Sequence, residues 1–351
     1  MSQPGAPSRT VLALIWLVLG LAMTITAVWV GWTRWPAILN GHPALLIVEF
    51  ASGLVGLVAV AWSVATLAIG DRQDREGDRE HPARRTPDQL LRRAKWRIVL
   101  ATPALLVCLV MLVLVYASRP LVAAPEAVAA LRSADGVRIA ERLSWYELVP
   151  AQEDDAGQAI VPTTALVFVP GARVDPRAYA PLLRPLAEAN FLVIVLKDPF
   201  GFAIADRNHA ETAIGVHPEI KSWAIAGHSL GGVVAASYAD EHPEIKGLAL
   251  WASYPAAALT RTDLKVVSVS ASEDGLATPA DIEASKTKLP GDTQYVVVPG
   301  AVHSFFGDYG EQSGDGVPTA DRAASQAEIT KATQALVASV VPPPVKKKKK
   351  K

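Results

Sequence analysis

Cysteine is almost absent from this chain. The 351 residues include one cysteine, Cys108, so no disulfide can form within the chain. Cys108 lies in an apolar run, where a small buried residue is expected. The chain also lacks net charge, because 34 basic residues balance 34 acidic ones. There is thus no overall field that favours nucleic acid or an acidic substrate. The sequence shows no internal repeat and no cluster of metal-ligating residues, so we expect neither a metal nor a cofactor.

Three long apolar runs occupy the first third of the chain. Residues 11–30 and 98–117 carry no charge, and residues 44–69 carry one, Glu49. A helix needs about 20 apolar residues to cross the hydrocarbon core of a membrane, and core helices of soluble proteins are rarely so long and so free of charge. The sequence therefore predicts a membrane region over residues 1–118 with three transmembrane helices. A cleaved signal peptide is the alternative for the first run, but no small-x-small cleavage site stands out after it.

The basic residues between the runs predict the topology. Nine Lys or Arg residues lie between positions 70 and 97, whereas Arg34 alone lies between the first two runs. Because positive charge stays on the cytoplasmic side, we expect loop 70–97 and the N-terminus in the cytoplasm. The remainder of the chain would then lie outside the cell membrane, which we take to be bacterial. Anionic lipid headgroups explain the basic loop better than nucleic acid does. Glu49, near the start of its run, is expected to reach the membrane interface.

From residue 119 onward, short apolar runs alternate with stretches of helical spacing. Residues 137–148 form a partly alternating extended segment, and residues 319–340 have the pattern of an amphipathic helix. The other runs match strands buried on both faces, at 165–169, 191–196, 223–226, 247–251, 266–269 and 295–298. Alternation of this kind indicates an α/β domain over residues 119–341, with a mostly parallel sheet and helices on both faces. Residues 342–351, which end in six lysines, are predicted to form a disordered tail.

A G-x-S-x-G motif lies between one of these strands and a helical stretch. It consists of residues 227–231, with Ser229 at its centre. A serine on a tight strand-to-helix turn needs small neighbours. The turn exposes the hydroxyl above the sheet, beside a helix N-terminus that favours negative charge. Ser229 is therefore the predicted nucleophile, and the alternative is an ordinary glycine-rich turn.

Two later strands are followed by residues that could activate this serine. A serine hydroxyl needs a base at neutral pH, and the base needs a carboxylate to orient it. His303 follows the last strand and is the predicted base, whereas His242 lies in a Glu-His-Pro helix end and is expected at the surface. Asp274 follows the preceding strand and is the predicted carboxylate, with Glu273 as its nearest rival.

Two backbone N–H groups are predicted to form an oxyanion hole. One belongs to Leu230, directly after the nucleophile. The other belongs to Ala172, in the Pro-Gly-Ala-Arg loop after the first buried strand. Donors in these positions would bind the negative oxygen of a tetrahedral intermediate.

These segments resemble the α/β-hydrolase superfamily, in particular the α/β-hydrolase fold-5 group. The resemblance spans residues 166–310 and rests on GHSLGG, SEDGLATP and PGAVHSFFGDYG, with further likeness at 169–200 and 247–255. It implies the α/β-hydrolase fold and a hydrolase of carboxylic esters that works through an acyl-enzyme, with Ser229, Asp274 and His303 in the family's chain order. The related dienelactone hydrolases carry a cysteine nucleophile, so Ser229 argues against that activity. The three N-terminal runs lie outside the family's core.

The sequence leaves the substrate open. The connection at 252–265 is short, so no large lid is expected. An open site on a membrane-anchored protein suits a small-molecule or lipid-like ester. Four phenylalanines are candidates for an acyl pocket and equally for core packing: Phe200, Phe202, Phe305 and Phe306. Tyr254 is a further candidate for a place near the site. The alternatives are an acyltransferase with the same triad and a non-catalytic membrane-anchored binding module. The intact set of site residues argues against the module, and the sequence does not indicate an oligomeric state.

Overall fold

A computed structural model describes residues 6–80, 87–134 and 136–343 of the chain. The predicted tail therefore lies almost entirely outside the described residues. The chain divides into two compact units. One contains residues 1–35 and 44–119, and the other contains residues 36–43 and 120–351.

Three long helices make up the first unit: α1 (Ala6–Asn40), α2 (Pro43–Glu80) and α3 (Pro87–Ala117). Each contains a segment long and apolar enough to span a membrane, at residues 10–40, 43–69 and 95–117. Large apolar side chains such as Val18, Leu54 and Leu100 are exposed on these helices, as contact with lipid requires. The three predicted apolar helices are thus present, and their orientation stays a prediction.

Small residues bring α1 and α2 close together. A Cβ atom on Gly20 would lie 2.7 Å from the carbonyl oxygen of Gly56, and one on Gly56 would lie 2.6 Å from Thr24 Oγ1. Packing of this kind is typical of membrane helices. Glu49 is 5% exposed and faces Gly31. Its side chain is therefore buried in the helix packing, and its place at the membrane interface stays a prediction.

An eight-stranded sheet forms the centre of the second unit, with the strand order β1-β2-β4-β3-β5-β6-β7-β8. Strands β1 and β2 are antiparallel to their neighbours, and β3 to β8 run parallel to one another. The strands are β1 (Val137–Glu141), β2 (Trp145–Pro150), β3 (Thr164–Val169), β4 (Leu192–Leu196), β5 (Ser222–His228), β6 (Ile245–Trp251), β7 (Lys265–Ala271) and β8 (Gln294–Val298).

Helices cover both faces of this sheet. They are α4 (Pro125–Ala130), α5 (Ala180–Glu188), α6 (His209–Gly215), α7 (Leu230–Glu241), α8 (Pro279–Ser285) and α9 (Arg322–Ser339). In β3, Leu166 and Phe168 belong to the core shared with α5 and α9, whereas Ala165 and Val167 belong to the core shared with α6 and α7. Both faces of the strand are therefore buried against apolar side chains, which explains its uninterrupted apolar sequence. The predicted α/β class and the mostly parallel sheet are confirmed.

The strand order determines where a site can form. From β3 the chain passes to β4 on one side and later to β5 on the other, so the loops after β3 and β5 diverge at a topological switch point. Ligands of open α/β sheets bind at the carboxyl ends of the strands beside such a point. The loops after β3, β5, β7 and β8 carry every residue predicted for the triad and the oxyanion hole.

Candidate active site

Ser229 occupies a strained turn between β5 and α7. Its φ is 52° and its ψ is −124°, a region that residues with a side chain rarely adopt. The Ser229 N–H donates to the carbonyl of Trp251 at 2.9 Å, and the Ser229 carbonyl accepts from Ser253 Oγ at 2.6 Å. Both partners lie at or just beyond the end of β6, so the neighbouring strand holds the strained residue in place.

Two glycines make this turn possible. A Cβ atom on Gly227 would lie 2.5 Å from the carbonyl carbon and oxygen of Gly231. One on Gly231 would overlap the carbonyl oxygens of Val169 and Pro170. The start of α7 therefore packs directly on the backbone of the loop after β3, and this is why the motif needs small residues on both sides of the serine.

Asp274 and His303 form a buried pair. His303 Nδ1 lies 2.9 Å from Asp274 Oδ2, and the two side chains are 1% and 0% exposed. The other carboxylate oxygen, Oδ1, accepts from the N–H groups of Leu276 and Ala277 at 2.8 Å each. These two bonds orient the carboxylate and leave Oδ2 for the histidine. We therefore assign the ring proton to Nδ1, which leaves the lone pair on Nε2.

Glu273, the rival carboxylate, has a different environment. Its side chain is exposed, and it accepts a hydrogen bond from Ser272 Oγ at 3.0 Å. Asp274, rather than Glu273, thus contacts the histidine. The other candidate base, His242, lies at the end of α7, where its Nδ1 is 3.2 Å from the exposed Glu244 carboxylate.

The ring of His303 lies beside the serine turn. It packs against the ring of His228, the residue directly before Ser229, with 4.6 Å between the ring centroids. His303 Nε2 is buried, and no group in the described part of the chain forms a hydrogen bond with it. The structure thus brings Asp274 and His303 together next to the serine turn, and in the described part of the chain Ser229 Oγ and His303 Nε2 form no hydrogen bond.

The two N–H groups predicted to form the oxyanion hole have no hydrogen-bond acceptor in the described part of the chain. Within the described ranges, neither the Ala172 N–H nor the Leu230 N–H donates a hydrogen bond. The N–H groups on either side of Ala172 are occupied, since Gly171 donates to Tyr179 Oη at 2.9 Å and Arg173 donates to the Gly201 carbonyl at 2.7 Å. The loop after β3 is therefore fixed by the N–H groups of Gly171 and Arg173, while the N–H of Ala172 between them stays available.

His228 and Tyr179 are site residues that the sequence did not predict. Tyr179 Oη lies 2.9 Å from His228 Nδ1 and also accepts the Gly171 N–H, so it connects the serine turn to the predicted oxyanion loop. Burial, together with the neighbouring His303, lowers the pKa of His228 well below its usual range. Both effects favour the neutral imidazole. The sequence signal was its place inside the G-x-S-x-G motif, but nothing local pointed to Tyr179.

The aromatic candidates for an acyl pocket separate into two groups. Phe305 and Phe306 belong to the core, at 6% and 0% exposure, and Tyr254 packs against that core from the side. Phe200 and Phe202 are partly exposed in the loop after β4 and stay candidates for substrate contact. Among the residues that the structure describes, no group of three or more His, Cys, Asp or Glu side chains is arranged to hold a metal ion.

The chain resembles known proteins in sequence and in fold. Residues 165–327 match the sequence model of the alpha/beta hydrolase family, and no curated protein matches the chain in sequence. Among solved structures, TT1662 from Thermus thermophilus is 15% identical, with 59% of this chain and 99% of that protein covered and a TM-score of 0.42. A Klebsiella pneumoniae protein, provisionally named a dienelactone hydrolase, is 17% identical, with 55% and 92% covered and a TM-score of 0.40. The family match includes strands β4 to β8, most of β3 and every predicted site residue. The domain that contains residues 165–327 therefore has the α/β-hydrolase fold and resembles this family in sequence.

Proposed function

We propose that this chain is a membrane-anchored serine hydrolase that cleaves carboxylic esters through an acyl-enzyme intermediate. The observation that carries the proposal is the buried His303–Asp274 pair, joined at 2.9 Å, beside a serine at a strained strand-to-helix turn. A buried carboxylate and imidazole also occur as the Asp198–His209 pair, so it is the place of Asp274 and His303 beside the serine that points to catalysis. Beside Ser229, they supply the base and the orienting acid that a serine nucleophile requires.

In the acylation step, Ser229 Oγ attacks the ester carbonyl and its proton passes to His303 Nε2. That nitrogen is free to accept it, because it has no other partner among the described residues. Hydrogen bonds between nucleophile and base are often long in ligand-free sites and shorten when substrate binds. Asp274 stabilises the imidazolium through Nδ1, and the Ala172 and Leu230 N–H groups donate to the developing oxyanion. His303 then protonates the departing alcohol, which leaves the acyl group on Ser229.

In the second step, water attacks the acyl group while His303 accepts its proton. Collapse of the intermediate then releases the carboxylic acid, and His303 returns the proton to Ser229 Oγ. An alcohol in place of water would give transfer instead of hydrolysis with the same residues. The identity of the acceptor therefore separates a hydrolase from an acyltransferase. Our proposal of hydrolysis predicts that the free carboxylic acid is the main product in water.

Anchoring supports a substrate class. Three helices long and apolar enough to span a membrane precede the hydrolase domain in the chain. A domain tethered in this way meets esters in or near the bilayer more often than esters in bulk solution. We therefore propose a lipid-like or cell-envelope ester as the physiological substrate.

The test is hydrolysis of p-nitrophenyl esters of graded acyl length by the full-length chain in detergent. We expect a burst of p-nitrophenol that matches the enzyme concentration, followed by slower turnover. Ser229→Ala should lower kcat by roughly 10³-fold or more. Ser237→Ala, in the same helix, is the matched control and should retain wild-type rates. Adding glycerol and identifying the products would show any transfer. Turnover by Ser229→Ala at the wild-type rate, or none by folded wild type on any ester, would contradict the proposal.

A further inference from the structure

Asp315 accepts an unusual number of backbone hydrogen bonds beside the site. Its Oδ1 accepts the N–H of His303 at 3.0 Å, the N–H of Gly316 at 2.8 Å and the N–H of Gly275 at 3.4 Å. Its Oδ2 accepts the N–H of Ser304 at 2.8 Å. One carboxylate thus holds the backbone of the predicted base and the backbone just after the predicted acid.

The segment around Asp315 also packs directly on the loop that carries Asp274. A Cβ atom on Gly275 would lie 2.6 Å from the carbonyl oxygen of Gly314 and 2.9 Å from the carbonyl carbon of Asp315. A Cβ atom on Gly316 would overlap the carbonyl oxygen of Glu273. These contacts leave no room for a side chain, so the two backbones are in direct contact on both sides of Asp315.

The hydrogen bonds to Asp315 favour the ionised form of its carboxylate. Partial burial opposes its ionisation, but the hydrogen bonds from the N–H groups of Ser304, His303 and Gly316 outweigh burial and hold its pKa below the ordinary value. In the described ranges no Lys or Arg forms an ion pair with it. Backbone N–H groups, together with the Ser304 side chain, therefore stabilise this charge, and the backbone groups also fix where the two loops lie.

The loops that carry the acid and the base are also joined elsewhere. The Glu273 N–H donates to the Ala301 carbonyl at 2.9 Å, and the Gly300 N–H donates to Ser272 Oγ at 2.7 Å. Loss of the Asp315 carboxylate would leave these bonds in place. The expected consequence is a shift of the His303 backbone relative to Asp274, rather than detachment of either loop.

We propose that Asp315 is a positioning residue that sets the distance between the His303 imidazole and the Asp274 carboxylate. The proposal rests on the function proposed above, in which His303 is the base. Asp315 contacts neither the imidazole nor the serine, so it acts through the backbone. Its contribution is alignment, because an error of about 1 Å in a catalytic group is enough to lower a rate roughly 10²-fold.

The test compares Asp315→Asn and Asp315→Ala with wild type in the full-length chain in detergent. We expect kcat for ester hydrolysis to fall roughly 10- to 100-fold in Asp315→Ala and less in Asp315→Asn, which keeps one accepting oxygen. KM should change by less than about threefold, since alignment of the base affects the transition state more than binding. Asp321→Asn is the matched control, because Asp321 also accepts a backbone N–H, at the start of α9, and should keep wild-type kcat.

A second readout does not depend on activity. In ¹⁵N-histidine-labelled protein, the Nδ1 proton of a histidine bound to a carboxylate gives a strongly downfield ¹H NMR signal. We expect this signal in wild type and in Asp321→Asn, and its loss or upfield shift in both Asp315 variants. Wild-type kcat and an unchanged signal in both variants would overturn the proposal. A fall in kcat that disappears when rates are normalised to folded protein would overturn it too. If wild type cleaves no ester, the proposed function fails, while the NMR comparison still tests whether Asp315 holds the pair.

Discussion

Asp274 and Glu273 are adjacent carboxylates with opposite environments. Asp274 is buried and receives three hydrogen bonds, from the Leu276 and Ala277 N–H groups and from His303 Nδ1. Glu273 is exposed to solvent. A buried carboxylate is tolerated only when donors satisfy its oxygens. That condition is met at Asp274, and it selects this residue over its neighbour as the partner of the histidine.

Replacing Asp274 by Asn should inactivate the site with little change in shape. The amide can keep its oxygen toward Leu276 and Ala277, but it then presents an N–H to His303 Nδ1. The histidine would move its proton to Nε2 and could no longer accept one from Ser229. We expect kcat to fall roughly 10³- to 10⁴-fold, measured by ester hydrolysis. Glu273→Gln is the matched control and should stay within about twofold of wild type. Equal losses in the two variants would contradict the assignment.

At the scale of elements, the junction of β5 and α7 depends on missing side chains. Gly231→Ala should destabilise the domain by about 1–3 kcal/mol, because the new Cβ would overlap backbone oxygens of Val169 and Pro170 that cannot move independently. We expect a lower Tm and loss of esterase activity. Gly215→Ala, at the end of α6, is the matched control, since no atom lies within 4 Å of its added Cβ. Wild-type Tm and activity in Gly231→Ala would show that the turn has room for a side chain at position 231.

The elements that the sequence predicts well are those with a local signal. The six parallel strands lie within two residues of their predicted ends. Five of them are buried and form continuous apolar runs bounded by polar loops, whereas the edge strand β8 is largely exposed. The predicted helix over 319–340 is α9, Arg322–Ser339. The extended segment over 137–148 is a hairpin of two strands, β1 and β2. Its turn was missed because the residues at 142–144 include neither Gly nor Pro.

Contacts between distant parts of the chain could not be predicted in the same way. Ser229 was identified from its immediate neighbours, and Asp274 and His303 from their places after strands. The Tyr179–His228 contact joins residues 49 positions apart, and the Asp315 contacts bring the loop before α9 against two others. Each depends on how loops pack at the carboxyl edge of the sheet, and no periodicity in the sequence records that packing.

At the scale of the whole domain, stability depends on a buried charge far from the site. Glu147 in β2 is 2% exposed. It accepts from Trp145 Nε1 at 2.8 Å and lies 3.4 Å from His217 Nε2. Burial opposes ionisation of Glu147, but hydrogen bonds from His217 and Trp145 outweigh it and lower its pKa to about 2. The hydrogen bond to Glu147, opposed by partial burial, raises the pKa of His217 above its ordinary value.

The two shifts predict a pH window for stability. The contribution of Glu147 is complete above its ordinary pKa of 4.5 and is lost as the pH falls toward 2. The contribution of His217 is complete below its ordinary pKa of 6.5 and is lost as the pH rises through its raised folded-state pKa. Glu147→Gln should therefore lower the free energy of unfolding most between these two values, by on the order of 3 kcal/mol.

Urea unfolding of the full-length chain in detergent at pH 3, 5.5 and 8.5 would measure this window. Glu219→Gln is the matched control, because Glu219 also contacts His217, at 2.9 Å, but is largely exposed. An exposed pair contributes roughly 1 kcal/mol at most, so the control should show little change. A loss in Glu147→Gln that is the same at all three pH values would contradict the assigned pKa directions.

The proposed topology can be tested on the whole chain in intact cells. Cys108 is the one cysteine and is buried. A Cys108→Ala variant therefore has no native thiol that could react with the maleimide. Asp155→Cys, at an exposed position of the hydrolase domain, should react with a membrane-impermeant maleimide in intact cells. Glu76→Cys, in the basic segment 70–97 between the second and third apolar runs, should react only after permeabilisation. The reverse pattern would place the hydrolase domain in the cytoplasm and overturn the orientation.

The proposed mechanism requires that Ser229 is an activated nucleophile. Its most direct test is labelling of isolated membranes with a fluorophosphonate probe, with wild type beside Ser229→Ala, followed by mass spectrometry of the modified peptide. We expect one modified residue, Ser229, in wild type and no labelling of the variant. Labelling of Ser229→Ala at the wild-type level, or a folded wild type that stays unlabelled, would contradict it.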